Sequence, residues 1–79
     1  MQHLIVKNRE GIVFEGDVDN ITSYNKVGVF DILQDHANFI SVVEKKIIFQ
    51  QRGATREITL DNGLLKAREN NVWLYLGIK

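Results

Sequence analysis

The sequence predicts an all-β sandwich or barrel, and three observations predict it. Turn signals recur at intervals of about 8 to 10 residues between β-prone runs: residues 8–11, Arg52-Gly53, Asp61-Asn62-Gly63 and Glu69-Asn70-Asn71. Apolar residues alternate with polar or aromatic ones toward the C-terminus. The 79 residues contain no proline, no repeat and no glycine-rich linker, so a single domain is expected.

The C-terminal elements are the clearest. Ile58 and Leu60, then Leu65 and Ala67, then Val72, Leu74, Leu76 and Ile78 keep a period of two, which buries one face. Asn62-Gly63 can take the positive φ angles of a tight hairpin, so three consecutive antiparallel strands are expected here. Near the N-terminus Ile12, Phe14, Gly16 and Val18 share one parity, but Ile21 is an odd step away. A bulge at Asp19-Asn20 would return Ile21 to the inner face, with Gly16 serving a bend. Residues 29–43 are ambiguous, because Phe30, Leu33, Ala37 and Ile40 also fit a helical stripe. The β-branched residues of Phe39-Ile40-Ser41-Val42-Val43 and the polar residues 34–38 favour strand, loop, strand over a short helix.

Ten Lys and Arg balance ten Asp and Glu, so no long-range field collects phosphate backbones or anionic lipid. Hydrophobic residues make up 44%, which argues for a folded chain rather than a disordered one. With no cysteine there is no disulfide framework, thiolate zinc site or cysteine nucleophile. Leu4-Ile5-Val6 is too short an apolar run for a signal peptide or a span, so a soluble protein on the cytoplasmic side is expected.

No motif points to catalysis. Residues 11–16 read GIVFEG, half of a phosphate-loop spacing, but Asp17 and Val18 stand where Lys and Ser or Thr are needed. His3 and His36 lie far apart, short of the three ligands a catalytic zinc requires, and read as solvated or locally hydrogen-bonded. Ser23 and Ser41 lack a nucleophile elbow. Glu15, Asp17 and Asp19 share one strand face, the pattern of a solvated edge rather than an acid–base pair. Lys45, Lys46, Arg52, Arg56 and Lys66 with Phe49 hint at a barrel stacking single-stranded nucleic acid, but Glu44, Glu57 and Glu69 interleave with them. Trp73 and Tyr75 alternate with Val72, Leu74 and Leu76, so both faces of the last strand carry large apolar groups, one of them for a partner or for packing.

Three ordered segments carry a family likeness. The opening LIVKNREGIVFEGDVDNI is similar to a strand, a T/S-P-E-G-like turn and F-x-G-x-V-x-x-V, at Glu10, Gly11, Phe14, Gly16, Val18 and Ile21. GVFDILQDHANFIS is similar to G-E-F-G-I-L-P-G-H-A-P-L-L-T, keeping Gly28, Phe30, Ile32, Leu33, His36 and Ala37. DNGLLKARENNVWLYL is similar to S-G-G-F-L-E-V-x-x-N-x-V-x-V-L, keeping Gly63, Leu65, Asn71 and Val72. Over nearly its whole length the chain thus resembles the N-terminal β-sandwich of the epsilon subunit of F-type ATP synthases, called delta in mitochondria.

The resemblance implies an all-β fold, a small two-sheet β-sandwich (flattened barrel) of about 8–10 short, mainly antiparallel strands. It implies a non-catalytic rotor subunit without cofactor or metal, coupling proton flow to ATP synthesis from the cytoplasmic face of the membrane, without inserting into it. Its partners would be the gamma subunit and the ring of c subunits. By position, Gly28, Val29, Phe30 and Asp31 would meet the c-ring, and His36, Ala37, Phe39 and Ser41 would meet gamma. Val29 replaces the family's acid, and Gln34 and Asn38 replace its two prolines, which frees φ in that loop. The sequence stops at Lys79 without the family's usual helical domain, so neither inhibition of ATP hydrolysis nor ATP binding is carried over. The alternatives are a β-sandwich interaction module outside ATP synthase and a small barrel binding single-stranded nucleic acid.

Overall fold

The computed structural model describes residues 1–33 and 37–77, and every regular element among them is a strand. In chain order these are β1 (Gln2–Asn8), β2 (Gly11–Val18), β3 (Asn20–Tyr24), β4 (Val29–Ile32), β5 (Ala37–Gln51), β6 (Ala54–Glu69) and β7 (Asn71–Leu76). They form one mixed sheet in the order β2-β1-β7-β6-β5-β3-β4, antiparallel except where β1 runs parallel to β7.

Two long strands turn this sheet into a sandwich. Residues 37–44 of β5 pair with residues 62–69 of β6, next to β7, β1 and β2. Residues 45–51 pair with residues 54–60, next to β3 and β4. Between the halves Lys45 takes φ 72° and Asp61 has no partner opposite, a bulge that bends both strands from one layer into the other. Counted by layer, five strands face four, so the expected strand number emerges from seven elements. The molecule measures 30 × 27 × 20 Å, the short axis matching two stacked sheets.

The core is continuous between the layers. Leu4, Val6, Leu65, Ala67, Val72 and Leu74 from one side meet Ile21, Ile32, Ile47, Phe49 and Leu60 from the other. Gln2 is also fully buried; its amide nitrogen donates to the Ile32 carbonyl at 3.3 Å and ties β1 to the end of β4. A side seam closes the sandwich where β2 meets β5: Phe14 stacks on Phe49 at 4.7 Å, and Gln51 Nε2 donates to the Asp17 carbonyl. Gly16 leaves the space for this, since a Cβ there would stand 2.9 Å from Gln51 Nε2.

Three of the turn signals are real. Asn8 Oδ1 accepts from the N–H groups of Glu10 and Gly11 and shapes the β1–β2 turn. Arg52 and Gly53, with φ 52° and 79°, form a two-residue hairpin between β5 and β6. Glu69, with φ 56°, leads into the turn to β7.

The fourth is not a turn. β6 continues unbroken, though bent, through Asp61, Asn62 and Gly63, so Ile58, Leu60, Leu65 and Ala67 belong to one strand and the expected hairpin is absent. The unpaired Asp61 shifts the parity from Leu60 to Leu65, which is the signal a turn would also leave. Likewise, the Val18-to-Ile21 offset is not a bulge at Asp19-Asn20. The chain ends β2, bends at Asp19 and enters β3 in the other layer, with Asp19 N–H donating to the Gln50 carbonyl. A bulge does lie earlier, between the Val6–Phe14 and Lys7–Ile12 pairs, and it turns Ile12 outward, 58% exposed, against expectation. Residues 29–32 and 37–43 are strand, with Ala37 and Asn38 inside β5 rather than in the expected loop; residues 34–36 and Ile78 lie outside the described residues.

Candidate functional site

The outer face of the five-strand layer is apolar. Because Leu4, Val6, Val43, Leu65, Val72 and Leu74 point inward, the alternate positions Ile5, Ile40, Val42, Leu64, Trp73 and Tyr75 point outward. They lie in rows across the pairing, Ile5–Trp73–Lys66–Ile40 and Lys7–Tyr75–Leu64–Val42. Ile40 and Val42 are each 65% exposed, while the others are half-buried by their neighbours. Lys66 covers part of the patch, its ammonium 5.6 Å from the Trp73 ring. A depression of about 490 Å³ beside it is lined by Asn38, Phe39, Ile40, Lys66, Ala67 and Arg68.

A second apolar surface sits at the β3–β4 end. Asn25 Oδ1 accepts from Val27 and Gly28 N–H and holds a tight turn that leaves Val27 96% exposed. Val29 is exposed beside it, while Leu33, also exposed, lies at the opposite end of β4 beyond the Ile32–Ile21 pair. Within the predicted c-ring set, Gly28 takes φ 148° in this turn, Val29 faces solvent, Phe30 is half-buried and Asp31 accepts from Thr22 Oγ1 at 2.6 Å. All four therefore fall on one turn and one edge strand.

The predicted gamma set is arranged differently. Phe39 is half-buried against the core and meets Phe30 edge-on at 6.0 Å, so the two predicted interfaces share an aromatic pair. Ser41 donates to the Val42 carbonyl at 3.2 Å. Ala37 opens β5 opposite Glu69, and His36 lies outside the described residues. Ile40 and Val42, the exposed members of this strand, were not singled out as contacts by the sequence reading. Their signal was available: residues 39–43 are apolar at both parities except for Ser41, as in the strand of Trp73 and Tyr75.

His3 gives the one clear electrostatic cluster among the described residues. Its Nδ1 lies 3.0 Å from Asp17 Oδ1 and its Nε2 3.0 Å from Glu15 Oε2, across the β1–β2 pairing. Only the imidazolium donates to both carboxylates at once, so hydrogen bonds first to Asp17 and then to Glu15 raise the His3 pKa above its ordinary 6.5, against a small opposing effect of burial. A raised folded-state value stabilises the fold fully below about pH 6.5, and that contribution fades as pH rises through the folded pKa. The side chains are partly exposed, so solvent screening keeps the effect small. The His3 ring signal in an NMR titration should show a midpoint above 6.5, and His3→Gln should remove this pH dependence of stability; a midpoint at or below 6.5 would contradict the bracket.

The remaining candidates have structural partners. Ser23 is fully buried and donates to the Lys46 carbonyl. The GIVFEG stretch is strand β2, paired with β1. Arg56 stacks on Phe14 and Phe49 at 5.1 and 5.7 Å, and Lys46 faces Glu57 at 3.5 Å. Among the described residues no three His, Asp or Glu side chains are arranged to hold a metal ion, and no helix is long and apolar enough to cross a membrane.

Comparison with solved structures finds the same fold in two rotary assemblies. A chain of the Euglena gracilis mitochondrial ATP synthase, OSCP/F1/c-ring in rotational state 1, superposes with TM-score 0.83 at 13% identity, over 92% of this chain and 48% of that one. A chain of the Tetrahymena thermophila mitochondrial ATP synthase central stalk and c-ring gives TM-score 0.78 at 8% identity, over 98% and 63%. This chain therefore spans about half to under two thirds of the chains it matches. No curated protein matches it by sequence. The family described as ATP synthase, Delta/Epsilon chain, beta-sandwich domain matches residues 1–75, and it is to this family that the chain belongs.

Proposed function

We propose that the chain works as a non-catalytic central-stalk subunit of a proton-translocating F-type ATP synthase, coupling proton flow to ATP synthesis by holding two partners in fixed relation. Family membership and the fold shared with the two rotary assemblies support the reading. The observation that carries it is the pair of exposed apolar surfaces on one stiff body: the outer face around Ile40, Val42 and Trp73, and the turn end at Val27 and Val29. Exposed apolar groups clustered on a small domain mark interaction sites, and a close-packed core passes strain between them with little compliance.

In this reading the gamma subunit docks on the outer face and the adjoining β5 strand, including Ala37, Phe39 and Ser41, and His36 is included by sequence position alone. The c-ring meets Gly28, Val29, Phe30 and Asp31. The Phe30–Phe39 contact then joins the two docking sites through one aromatic pair, giving a direct path for load. The subunit sits peripherally on the cytoplasmic face of the membrane, and its work needs no cofactor.

The test is reconstitution. Membranes whose F-type ATP synthase lacks its epsilon-type subunit should regain proton-driven ATP synthesis when this chain is added. Failure to restore synthesis, with no binding to gamma, would favour an interaction module outside the synthase.

A further inference from the structure

The five-strand layer ends on an unusual edge. Residues 38–43 of β5 pair with β6 on one side only, because β3 pairs with β5 from Glu44 onward. Every second residue of this segment therefore turns its N–H and C=O away from the sheet, toward no strand among the described residues.

The other free edges are protected. β2 carries Glu15 and Asp17 and is tied to β5 by Gln51 and the Asp19 N–H. β4 is four residues long and carries Asp31. Residues 54–60 of β6 carry Arg56 and Glu57 and end at the bulge. Charge, shortness and bulges are the devices that keep edges from pairing. The segment Asn38-Phe39-Ile40-Ser41-Val42-Val43 ends at the same bulge but has no charge along its length: it is β-prone and free of proline and glycine.

We infer that this edge receives an extended segment of the gamma-type partner, which continues the five-strand layer by main-chain hydrogen bonds. The inference rests on the docking reading above and gives its mode of recognition. A second copy of the chain is the weaker occupant, since two six-residue edges bury far less than the roughly 1,000 Å² that a specific interface needs. A partner already lying on the adjacent outer face supplies that area, with the edge setting its register.

Charge fixes the chemistry of the segment. On the outer side Lys66 and Arg68 lie opposite Ile40 and Asn38, and Arg68 has no ion-pair partner among the described residues. The partner strand is therefore neutral and apolar beside Ile40 and Val42, and acidic at the outward position nearest Arg68.

Amide exchange at single-residue resolution tests this. The chain is exchanged free and bound to gamma-containing F1 lacking its own epsilon-type subunit, then quenched, released and read by NMR. In the free chain, amides within residues 38–43 should alternate between slow, bonded to β6, and fast, facing outward. Binding should slow the fast ones by tenfold or more. If the chain binds and the outward amides stay fast, edge pairing is wrong and the docking reading stands. If it does not bind, both fall.

Discussion

Replacing Gly63 with valine should lower the thermal unfolding midpoint by roughly 10 °C or more, the largest stability loss expected at any glycine of the chain. A Cβ at Gly63 would lie 2.8 Å from the backbone carbonyl oxygen of Tyr75, 3.2 Å from Leu74 Cδ1 and 3.4 Å from Leu60 Cδ1. The carbonyl belongs to the strand paired with Gly63 and cannot retreat without opening the β6–β7 pairing. Overpacking of this kind costs about 1–3 kcal/mol, more than the few tenths to 1 kcal/mol that a strand gains when glycine is replaced. Gly16→Ala is the milder comparison, because the Cβ there meets side chains that can give, the end of Gln51 at 2.9 Å and the Phe14 ring at 3.3 Å, at the cost of the Gln51–Asp17 hydrogen bond. Circular dichroism melts of both variants decide it; an unchanged midpoint for Gly63→Val would show that the two strands are not this close.

Neighbouring substitutions on β5 should separate folding from docking. Phe39→Asp puts a carboxylate where a half-buried ring packs on the core and on Phe30, and should destabilise the chain by about 2 kcal/mol. Ile40→Asp alters a side chain that is 65% exposed and should change stability by less than about 1 kcal/mol. If the outer face docks gamma, the same change should weaken binding at least about tenfold, since an acid replaces an apolar anchor. Chemical denaturation and a binding titration give the two readouts. Unaltered affinity for Ile40→Asp would remove the outer face from the interface.

Much of this architecture could be read from local rules, and the errors share one cause. Asn8 with Gly11, and Arg52 with Gly53, specify turns by side-chain and φ chemistry that acts within four residues. Parity changes do not identify their own origin. A hairpin, a bulge and a crossing between layers each shift apolar positions by one step, so the Leu60-to-Leu65 step does not correct the hairpin that Asn62-Gly63 suggests, and the Val18-to-Ile21 step does not separate a bulge from a crossing. Telling them apart requires knowing that β5 spans both layers, which is a non-local fact.

The exposed apolar surfaces divide in the same way. Gly28, Val29, Phe30 and Asp31, assigned to the c-ring by family position and not by residue chemistry, fall on one turn and strand because they are consecutive. The outer face was only half legible: Trp73 and Tyr75 were visible, but Ile40 and Val42 join them through β6, two strands away. The His3 bracket depends on the β1–β2 register, which brings His3 to residues 12 and 14 positions away.

Photocrosslinking from two positions in the assembled enzyme probes the docking most directly. A photoreactive residue at position 29 should label a c subunit, and one at position 40 should label gamma. Labelling of catalytic-head subunits from both positions, or exchange of the two partners, would contradict a subunit that bridges shaft and ring through these surfaces.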